Sequence, residues 1–280
     1  MQSVSTPLEI DQLPIPASLR QLRQWGVWRY VEVDGKPKKR PFYCTGYPAS
    51  TTQPDKWETF EQATATYAQG GYAGIGFVFT GTDPNLGVDL DHCVDSELGI
   101  LEPWAAQIVR RLDSYTEYSP SGTGVHTIVE ATLPGTGRKL SPIEMYDRGR
   151  YFTITGKRLE GTPAIVNKRQ EVATALYTAM PILERLLANE SKRASFETLF
   201  IGDISAHGND DSRADLALCS MAVWAGATDD QIAALMRLSG LYREKWERET
   251  YRQMTIAKAR TKTGEAPQPG ERDTPQVGGC

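Results

Sequence analysis

The chain has 280 residues, a formal net charge of −4, and 40% hydrophobic and 24% charged residues. These totals are typical of a soluble globular protein of one or two domains, and they give no global electrostatic reason to bind nucleic acid. Four scattered cysteines without a CxxC pair and only three histidines argue against a zinc finger and fit a reducing compartment. No apolar run approaches the ~20 residues of a membrane span, and the N-terminus lacks the composition of a signal peptide.

The N-terminal part of the chain predicts a β-hairpin followed by a helix. Residues 28–33 alternate in the manner of a half-buried strand, and Asp34-Gly35 is a hairpin-turn signal. The run from Lys36 to Pro41 carries four positive charges in six residues. It predicts a solvated loop, which would face phosphate only if it lay near acidic groups. Helical spacing of aromatic side chains predicts that a helix begins within residues 55–63.

Two adjacent strands follow, and the second ends in acidic residues. Residues 74–80 are short, apolar and flanked by glycine, which predicts a buried strand. In the next predicted strand, residues 87–93, Asp89 and Asp91 leave by the same face, ~7 Å apart at their Cα atoms. Two carboxylates this close repel each other unless a cation lies between them, and their oxygens can converge on metal ions. The alternative is an aspartate pair that caps a turn.

A glycine turn and a histidine follow a predicted helix at residues 103–112. The pattern of residues 114–129 predicts a strand, a turn at Ser121-Gly-Thr-Gly124 and a second, apolar strand. Such a turn can direct backbone N–H groups at an anion, and His126 lies two residues beyond it. His126 is therefore a candidate phosphate contact; the alternative is a structural histidine on the strand.

A third carboxylate, Glu144, lies on a hairpin predicted for residues 143–155. It stands in the middle of an apolar strand, where a lone buried carboxylate is costly and needs a partner. A metal ion shared with Asp89 and Asp91 would supply that partner. The alternative is an ion pair with an arginine of the hairpin, Arg148 or Arg150.

The last part of the chain predicts helices. Residues 167–189 form a helix that Pro181 kinks or breaks, residues 190–211 link it to the next helix, and Thr228-Asp-Asp-Gln231 has the outline of a capping box. Residues 241–262 then combine an excess of positive charge with interleaved aromatic side chains, a pattern typical of contacts to single-stranded DNA. A helical bundle with a charged face is the alternative. The candidate contacts are Arg243, Lys245, Arg248, Tyr251 and Arg252.

Taken together, three carboxylates on strands, a glycine turn with a histidine and several basic residues predict a metal-dependent site for a polyphosphate. Hard oxygen ligands favour Mg²⁺ or Mn²⁺ over zinc. A nucleotidyltransferase, a nuclease and a phosphohydrolase all fit this arrangement.

Three motifs carry a family resemblance: Gly-Val-Asp-Leu-Asp-His (87–92), Ser-Pro-Ser-Gly-Thr-Gly-Val-His (119–126) and Ile-Glu-Met-Tyr-Asp-Arg-Gly-Arg-Tyr-Phe-Thr-Ile-Thr-Gly (143–156). In this order they resemble the archaeo-eukaryotic primase superfamily, and more narrowly the primase-polymerases of phages and plasmids. Residues 215–259 resemble the helical domain that follows such catalytic cores.

The resemblance implies an α/β (α+β) fold, with an RRM-like catalytic module followed by a small helical bundle. The expected domains are a primase-polymerase catalytic domain at residues 1–188, a nucleic-acid-binding helical domain at 189–264 and a disordered tail at 265–280. Longer relatives carry a helicase with a P-loop, which this sequence lacks. The chain is therefore either a stand-alone enzyme or the catalytic part of something longer, and a replicative helicase is a candidate partner, in trans or in a longer chain.

The resemblance also implies residue roles. Asp89, Asp91 and Glu144 would bind two Mg²⁺ or Mn²⁺ ions and, with His126, form the catalytic set. Many relatives have aspartate as the third acid, so Asp147 is the alternative third ligand. The expected contacts to the incoming nucleotide are Ser121, Gly122, His126, Lys139, Arg150 and Tyr151.

The expected activity is that of a DNA primase-polymerase, which transfers nucleotides from dNTP or NTP to a 3′-hydroxyl on a single-stranded DNA template and synthesises primers. We expect a cytoplasmic phage or plasmid replication protein with no membrane partner. The preference between dNTP and NTP stays open, and a tyrosine near the sugar would sense the 2′-hydroxyl: Tyr146, Tyr151 or Tyr251. The alternatives are a non-catalytic single-strand or origin-binding replication module and a metal-dependent nuclease.

Overall fold

The computed structural model describes residues 13–95 and 97–264, so the tail predicted at 265–280 lies outside the described residues. The chain divides into two compact units, Met1–Met180 and Pro181–Cys280. Within the described residues, every helix is too short or too polar to cross a membrane.

The first unit contains two antiparallel sheets. Its strands are β1 Trp25–Val33, β2 Lys36–Phe42, β3 Gly74–Thr80, β4 Asn85–Leu90, β5 Thr116–Tyr118, β6 Val125–Glu130, β7 Arg138–Leu140, β8 Ile143–Tyr146 and β9 Arg148–Ile154. The strand orders are β2-β1-β3-β9 and β5-β6-β4-β8-β7. Helices α1 Ala17–Arg20, α2 Phe60–Ala68 and α3 Pro103–Leu112 complete this unit up to the long helix α4, Gln170–Ala188. The mixed helix-and-sheet class is as predicted, and the RRM-like module stays a prediction.

The predicted hairpin turn forms, but the segment after it is a strand and not the predicted loop. Asp34 and Gly35 have φ of 53° and 71°, the left-handed conformation that a two-residue hairpin turn requires. The basic run predicted as a loop is strand β2, which pairs with β1 along its whole length. Its prolines are tolerated because β2 is an edge strand, where a missing N–H breaks no ladder on the outer side.

Aromatic side chains fill the core beside the acid-bearing strand β4. Phe77, Phe79 and Phe152 belong to one buried apolar cluster with Ile128. A Cβ on Gly87 would lie 2.5 Å from the Phe152 ring and 2.6 Å from the Phe79 ring. Glycine at this position therefore allows the rings to contact β4 directly, two residues before Asp89.

The helix predicted within residues 55–63 begins only at Phe60. Thr59 caps it and forms a full capping box with Gln62, which satisfies two backbone N–H groups reciprocally. Trp57 precedes the helix and packs against Tyr43 at 5.2 Å between ring centroids. The helix therefore begins at Phe60, after Trp57, which is the first aromatic residue of the predicted segment.

Of the two predicted effects of Pro181, a kink and a break, the break is wrong, because α4 continues through this residue. A proline has no N–H to bond the carbonyl four residues earlier, which here belongs to Tyr177. The Arg138 guanidinium donates to that carbonyl oxygen at 2.7 Å instead. The oxygen left free by the proline is therefore satisfied.

The second unit is helical. It contains α5 Glu190–Phe200, α6 Asp211–Trp224, α7 Asp229–Leu238 and α8 Glu249–Thr263. Helix α5 replaces most of the predicted link, because Asn189 caps it and Phe196 and Phe200 are buried. The predicted capping box of Thr228 and Gln231 opens α7. The predicted helix at 241–262 is divided by a 3₁₀ turn, Glu244–Glu247, before α8 begins.

Candidate active site

Five ionisable side chains lie side by side across the five strands of the second sheet. Strand pairing places Glu117 opposite His126, His126 opposite Asp89, Asp89 opposite Glu144, and Glu144 opposite Lys139. Residues directly opposite each other in an antiparallel pair point to the same face. We call these five residues the ionisable row. Three of the four predicted catalytic residues, Asp89, His126 and Glu144, are thus immediate neighbours.

His126 is buried between two carboxylates. Its Nε2 lies 3.7 Å from Asp89 Oδ1, its Nδ1 lies 3.8 Å from Glu117 Oε1, and its ring is 4.8 Å from that of Phe152. These separations are too long for hydrogen bonds, and Nδ1 has no hydrogen-bond partner among the described residues. Burial lowers the pKa of His126, but the two carboxylates outweigh it and leave the pKa raised. The imidazole is therefore set to carry a proton beside an anion.

Glu117, for which no sequence pattern predicts a role, lies at one end of the ionisable row. Its side chain is fully buried and accepts the Tyr115 hydroxyl at 2.7 Å, the Thr155 N–H at 3.0 Å and the Gly156 N–H at 2.9 Å. A lone glutamate in a three-residue strand carries no local signal. Its role becomes visible only when the strands are paired.

Glu144 is fully engaged in the structure. Its Oε2 accepts the Tyr146 hydroxyl at 2.9 Å and the Arg150 guanidinium at 3.0 Å, and its Oε1 pairs with Lys139. The ion pair with Arg150, the alternative to a shared metal, is therefore present. Arg148 pairs with Asp147 instead.

Asp147, the other candidate for the third acid, is occupied by hydrogen bonds from Leu133 and Arg148. Its Oδ2 accepts the Leu133 N–H at 3.0 Å, and both of its oxygens accept from Arg148. Glu144, and not Asp147, stands directly opposite Asp89 in the sheet. The geometry thus favours Glu144 as the third acid of the site.

Asp89 is the least satisfied carboxylate of the ionisable row. Its Oδ1 is buried and has no hydrogen-bond partner among the described residues. Burial raises the pKa of Asp89, Asp91 and Glu144 raise it further, and His126 and Arg150 oppose them. Strand β4 ends at Leu90, so Asp91 follows the strand, where its N–H donates to the Pro142 carbonyl at 2.9 Å. Asp91 is nonetheless close enough to repel the Asp89 charge.

The glycine turn packs against the end of β4. A Cβ on Gly124 would lie 2.5 Å from the Leu90 carbonyl oxygen, so glycine is required for this approach. The Ser121 hydroxyl lies 3.0 Å from that of Ser119 and 2.9 Å from that of Thr123, and Gly122 has a φ of 75°. Ser121 and Gly122 are exposed at the tip of the turn.

A cavity of about 250 Å³ opens beside the centre of the ionisable row. The lining residues are Lys39, Asp89, His126, Arg150, Tyr151, Phe152 and Thr153. Lys39 belongs to the basic run on β2, which the sequence analysis expected to face phosphate only if it lay near the acids. Lys39 does lie near the acids, because it lines the same cavity as Asp89. Half-burial lowers the pKa of Lys39, and attraction by Asp89 and Asp91 opposes that shift.

Of the carboxylates at the site, Asp89 suits a hard cation as it stands, whereas Glu144 does not. No three His, Cys, Asp or Glu side chains within the described part of the chain are grouped closely enough to hold a metal ion. Asp89 Oδ1 is a buried, unpartnered carboxylate oxygen, which is what Mg²⁺ or Mn²⁺ prefers. Glu144 would have to exchange an ion pair for such an ion.

The five predicted DNA contacts belong to the second unit, and they divide into two groups. Asp215, fully buried in α6, accepts two hydrogen bonds from Arg243, at 2.8 and 2.5 Å, and one from the Tyr251 hydroxyl. We call these three residues the Asp215 cluster. Its two donors are therefore held inside the unit.

The other three candidates are less constrained. Arg248 is exposed. Lys245 lies 4.0 Å from the centroid of the Tyr251 ring, and the Arg252 guanidinium donates to the Trp246 carbonyl at 3.2 Å. Of the five candidates, these three are not hydrogen-bonded to Asp215.

Comparison with known proteins supports the resemblance. Residues 211–269 match the model of the NrS-1 polymerase HBD domain. Over 89% of this chain, the protein is 30% identical to the DNA primase-polymerase of Nitratiruptor phage NrS-1. The chain is thus similar to a phage primase-polymerase over most of its length. It spans 37% of the length of that relative.

Proposed function

We propose that the protein is a DNA primase-polymerase. It extends the 3′-hydroxyl of a strand on a single-stranded DNA template, using dNTP or NTP, and also begins primers. The observation that carries this proposal is the row of Asp89, His126 and Glu144 on three adjacent strands, bordering a cavity that Lys39 and Arg150 also line. Similarity to a phage primase-polymerase supports it.

In the proposed reaction, Lys39, Arg150 and protonated His126 bind the triphosphate of the incoming nucleotide. Three cationic groups around one cavity neutralise the charge that moves onto the leaving pyrophosphate, and they hold the nucleotide in line for attack. The raised pKa of His126 favours the protonated imidazole that this role needs. Lys139 pairs with Glu144 from outside the cavity and steadies the row.

Asp89 and Asp91 would hold Mg²⁺ or Mn²⁺, with Glu144 joining them when it releases its cations. When bound, such ions would supply Lewis acidity for the transfer. The protein's own carboxylates contribute the correct placement of that charge, and the unpartnered Asp89 oxygen is the group that supports this assignment.

Tyr151 is the tyrosine that we assign to sensing the sugar. It lines the cavity, whereas the Tyr146 hydroxyl donates to Glu144 and the Tyr251 hydroxyl donates to Asp215. Burial raises the pKa of Tyr151 to about 12, so its hydroxyl stays a donor at neutral pH. Tyr151→Phe should change the ratio of dNTP to NTP incorporation, and an unchanged ratio would remove this assignment.

The test is incorporation of labelled dNTP and NTP on single-stranded DNA with Mg²⁺ or Mn²⁺, with and without a primer. The matched variants are Asp89→Asn, which keeps the side-chain shape, and Glu61→Gln on the exposed face of α2. Products that disappear only in Asp89→Asn support the polymerase, and the lane without primer decides priming. Degradation of the template without nucleotide would indicate a nuclease. Tight binding without products in any lane would indicate a binding module.

A further inference from the structure

A second cavity, of about 330 Å³, lies next to the proposed catalytic cavity. Its walls come from β1, β3 and the end of β9, and the turn residue Pro120 closes one side. Thr153 lines the catalytic cavity, and the next two residues of the chain, Ile154 and Thr155, line this one. Lys39, which lines the catalytic cavity, has its Nζ 5.8 Å from the Trp28 ring.

Aromatic side chains dominate this second cavity. Trp28 and Tyr30 meet edge to face with ring centroids 5.3 Å apart, and Tyr67 contributes a third ring. Tyr30 is 53% exposed, which leaves one of its faces available to a ligand. A Cβ on Gly74 would lie 2.8 Å from Trp28 Nε1, so glycine allows the indole to lie close to β3. Flat aromatic walls of this kind suit another flat ring.

The polar groups of the cavity narrow the ligand further. The indole N–H of Trp28 is buried and has no hydrogen-bond partner among the described residues, so a ligand with an acceptor atom would satisfy it. Lys157 is the one charged residue among the side chains described as lining the cavity. A single cation matches one phosphodiester group, whereas a triphosphate needs several.

We propose that this cavity binds one base of the single-stranded DNA template, stacked on the ring of Tyr30 next to Trp28, with its phosphodiester at Lys157. Every nucleobase offers a flat π face and a carbonyl or ring-nitrogen acceptor, so the site reads no particular sequence. The assignment of the base to the template rests on the proposed function. The base in this cavity lies beside the one that pairs with the incoming nucleotide, and it fixes the strand at the catalytic cavity.

The experiment measures binding of a fluorescent single-stranded oligonucleotide by anisotropy, with EDTA and without nucleotide. The variants are Tyr30→Ala and Lys157→Ala, and the matched controls are Tyr47→Ala, 72% exposed, and Lys168→Ala, whose side chain is 87% exposed. We expect the first two to weaken binding about tenfold and about threefold, and the controls to leave it unchanged. Thermal unfolding of each variant establishes that it is folded.

An abasic site moved along the oligonucleotide identifies the base. We expect one position at which the missing base weakens binding by wild-type protein about tenfold and has no further effect on Tyr30→Ala. No such position, or normal binding by Tyr30→Ala, would overturn the proposal. Displacement of the oligonucleotide by a free dNTP, abolished by Tyr30→Ala, would also overturn it by assigning the cavity to a nucleotide. Because the assay needs no turnover, failure of the polymerase assay is a separate outcome.

Discussion

The ionisable row and the Asp215 cluster are both built from acids and bases on neighbouring elements, yet they are satisfied to different degrees. Asp215 is fully buried, and three hydrogen bonds from two side chains satisfy its oxygens. Asp89 and His126 are also largely buried, but each has a polar atom without a hydrogen-bond partner among the described residues. The first arrangement is complete in itself, and the second leaves two buried atoms without hydrogen-bond partners in residues that line a cavity.

Both regions combine acidic and basic residues, and they differ in whether the buried charged groups have hydrogen-bond partners. A buried polar group without a hydrogen-bond partner lowers the stability of the fold. Such a group is expected where a ligand supplies the missing partner. Arg243 and Tyr251 have the right chemistry to bind DNA, but Asp215 already occupies them. Asp89 Oδ1, by contrast, has no hydrogen-bond partner among the described residues.

The largest effect is expected at Asp89. Asp89→Asn should lower nucleotide incorporation by at least ~10²-fold, because it removes the negative charge that the proposed metal site needs. In EDTA at pH 7 the variant should unfold at the same temperature as the wild type or higher, since burial raises the pKa of this carboxyl and its ionised form is unfavourable in the fold. Incorporation assays and thermal unfolding measure the two effects.

The sign of the stability effect depends on pH. A carboxyl whose pKa is higher in the folded state lowers stability once pH exceeds its ordinary value of 3.8, so the gain in Asp89→Asn should disappear as pH falls below that value. A variant that unfolds earlier than the wild type at pH 7 would mean that Asp89 is a structural group like Asp215.

Asp215 should show the opposite behaviour. Asp215→Asn leaves the Arg243 charge without its partner in a buried site, and we expect a loss of about 2–3 kcal/mol in the free energy of unfolding. This loss is smaller than the ~3–5 kcal/mol of a fully buried pair, because the Arg243 side chain is 27% exposed. Denaturant unfolding of the full chain measures the loss.

Two buried cysteines localise that effect. Burial raises the pKa of Cys219, on the same helix as Asp215, and raises that of Cys93, near Asp91, to about 12. Both thiols should react only when their surroundings open. Asp215→Asn should therefore speed alkylation of Cys219 and leave Cys93 unchanged; equal acceleration at both would show that the effect is not local.

Local patterns in the sequence predicted much of this molecule. The strand Gly74–Thr80, the helix Pro103–Leu112 and the Thr228 capping box are set by neighbouring residues, and they form as predicted. Signals within one element are readable because the physics that fixes them is short in range.

Pairings between distant residues were not predictable in the same way. Nothing near Asp215 in the sequence indicates that Arg243 will neutralise it, and nothing near Glu117 indicates that His126 lies beside it. Lys39 was considered a loop residue because edge strands with prolines resemble loops. Each of these errors has one cause, which is that strand register and helix packing decide which charges meet.

Arg150 and Lys139 sharpen the comparison within the ionisable row. Both pair with Glu144, but only Arg150 lines the catalytic cavity. Arg150→Ala should raise KM for the incoming nucleotide about five- to tenfold through loss of a charge-assisted bond to phosphate. Lys139→Ala should raise it no more than about twofold. Equal effects would mean that both act only through Glu144.

The smallest effect is expected at the exposed cations of the second unit. Arg248→Ala should weaken binding of single-stranded DNA a few-fold, reduce the slope of log affinity against log salt by about 1, and leave the unfolding temperature unchanged. Arg243→Ala should lower the unfolding temperature, because it leaves the Asp215 carboxylate buried without its cation. Binding isotherms at several salt concentrations, with a melting curve for each variant, separate the two. If Arg243→Ala instead stayed fully stable and reduced the salt slope, the Asp215 cluster would be a DNA contact and the contrast with the ionisable row would fail.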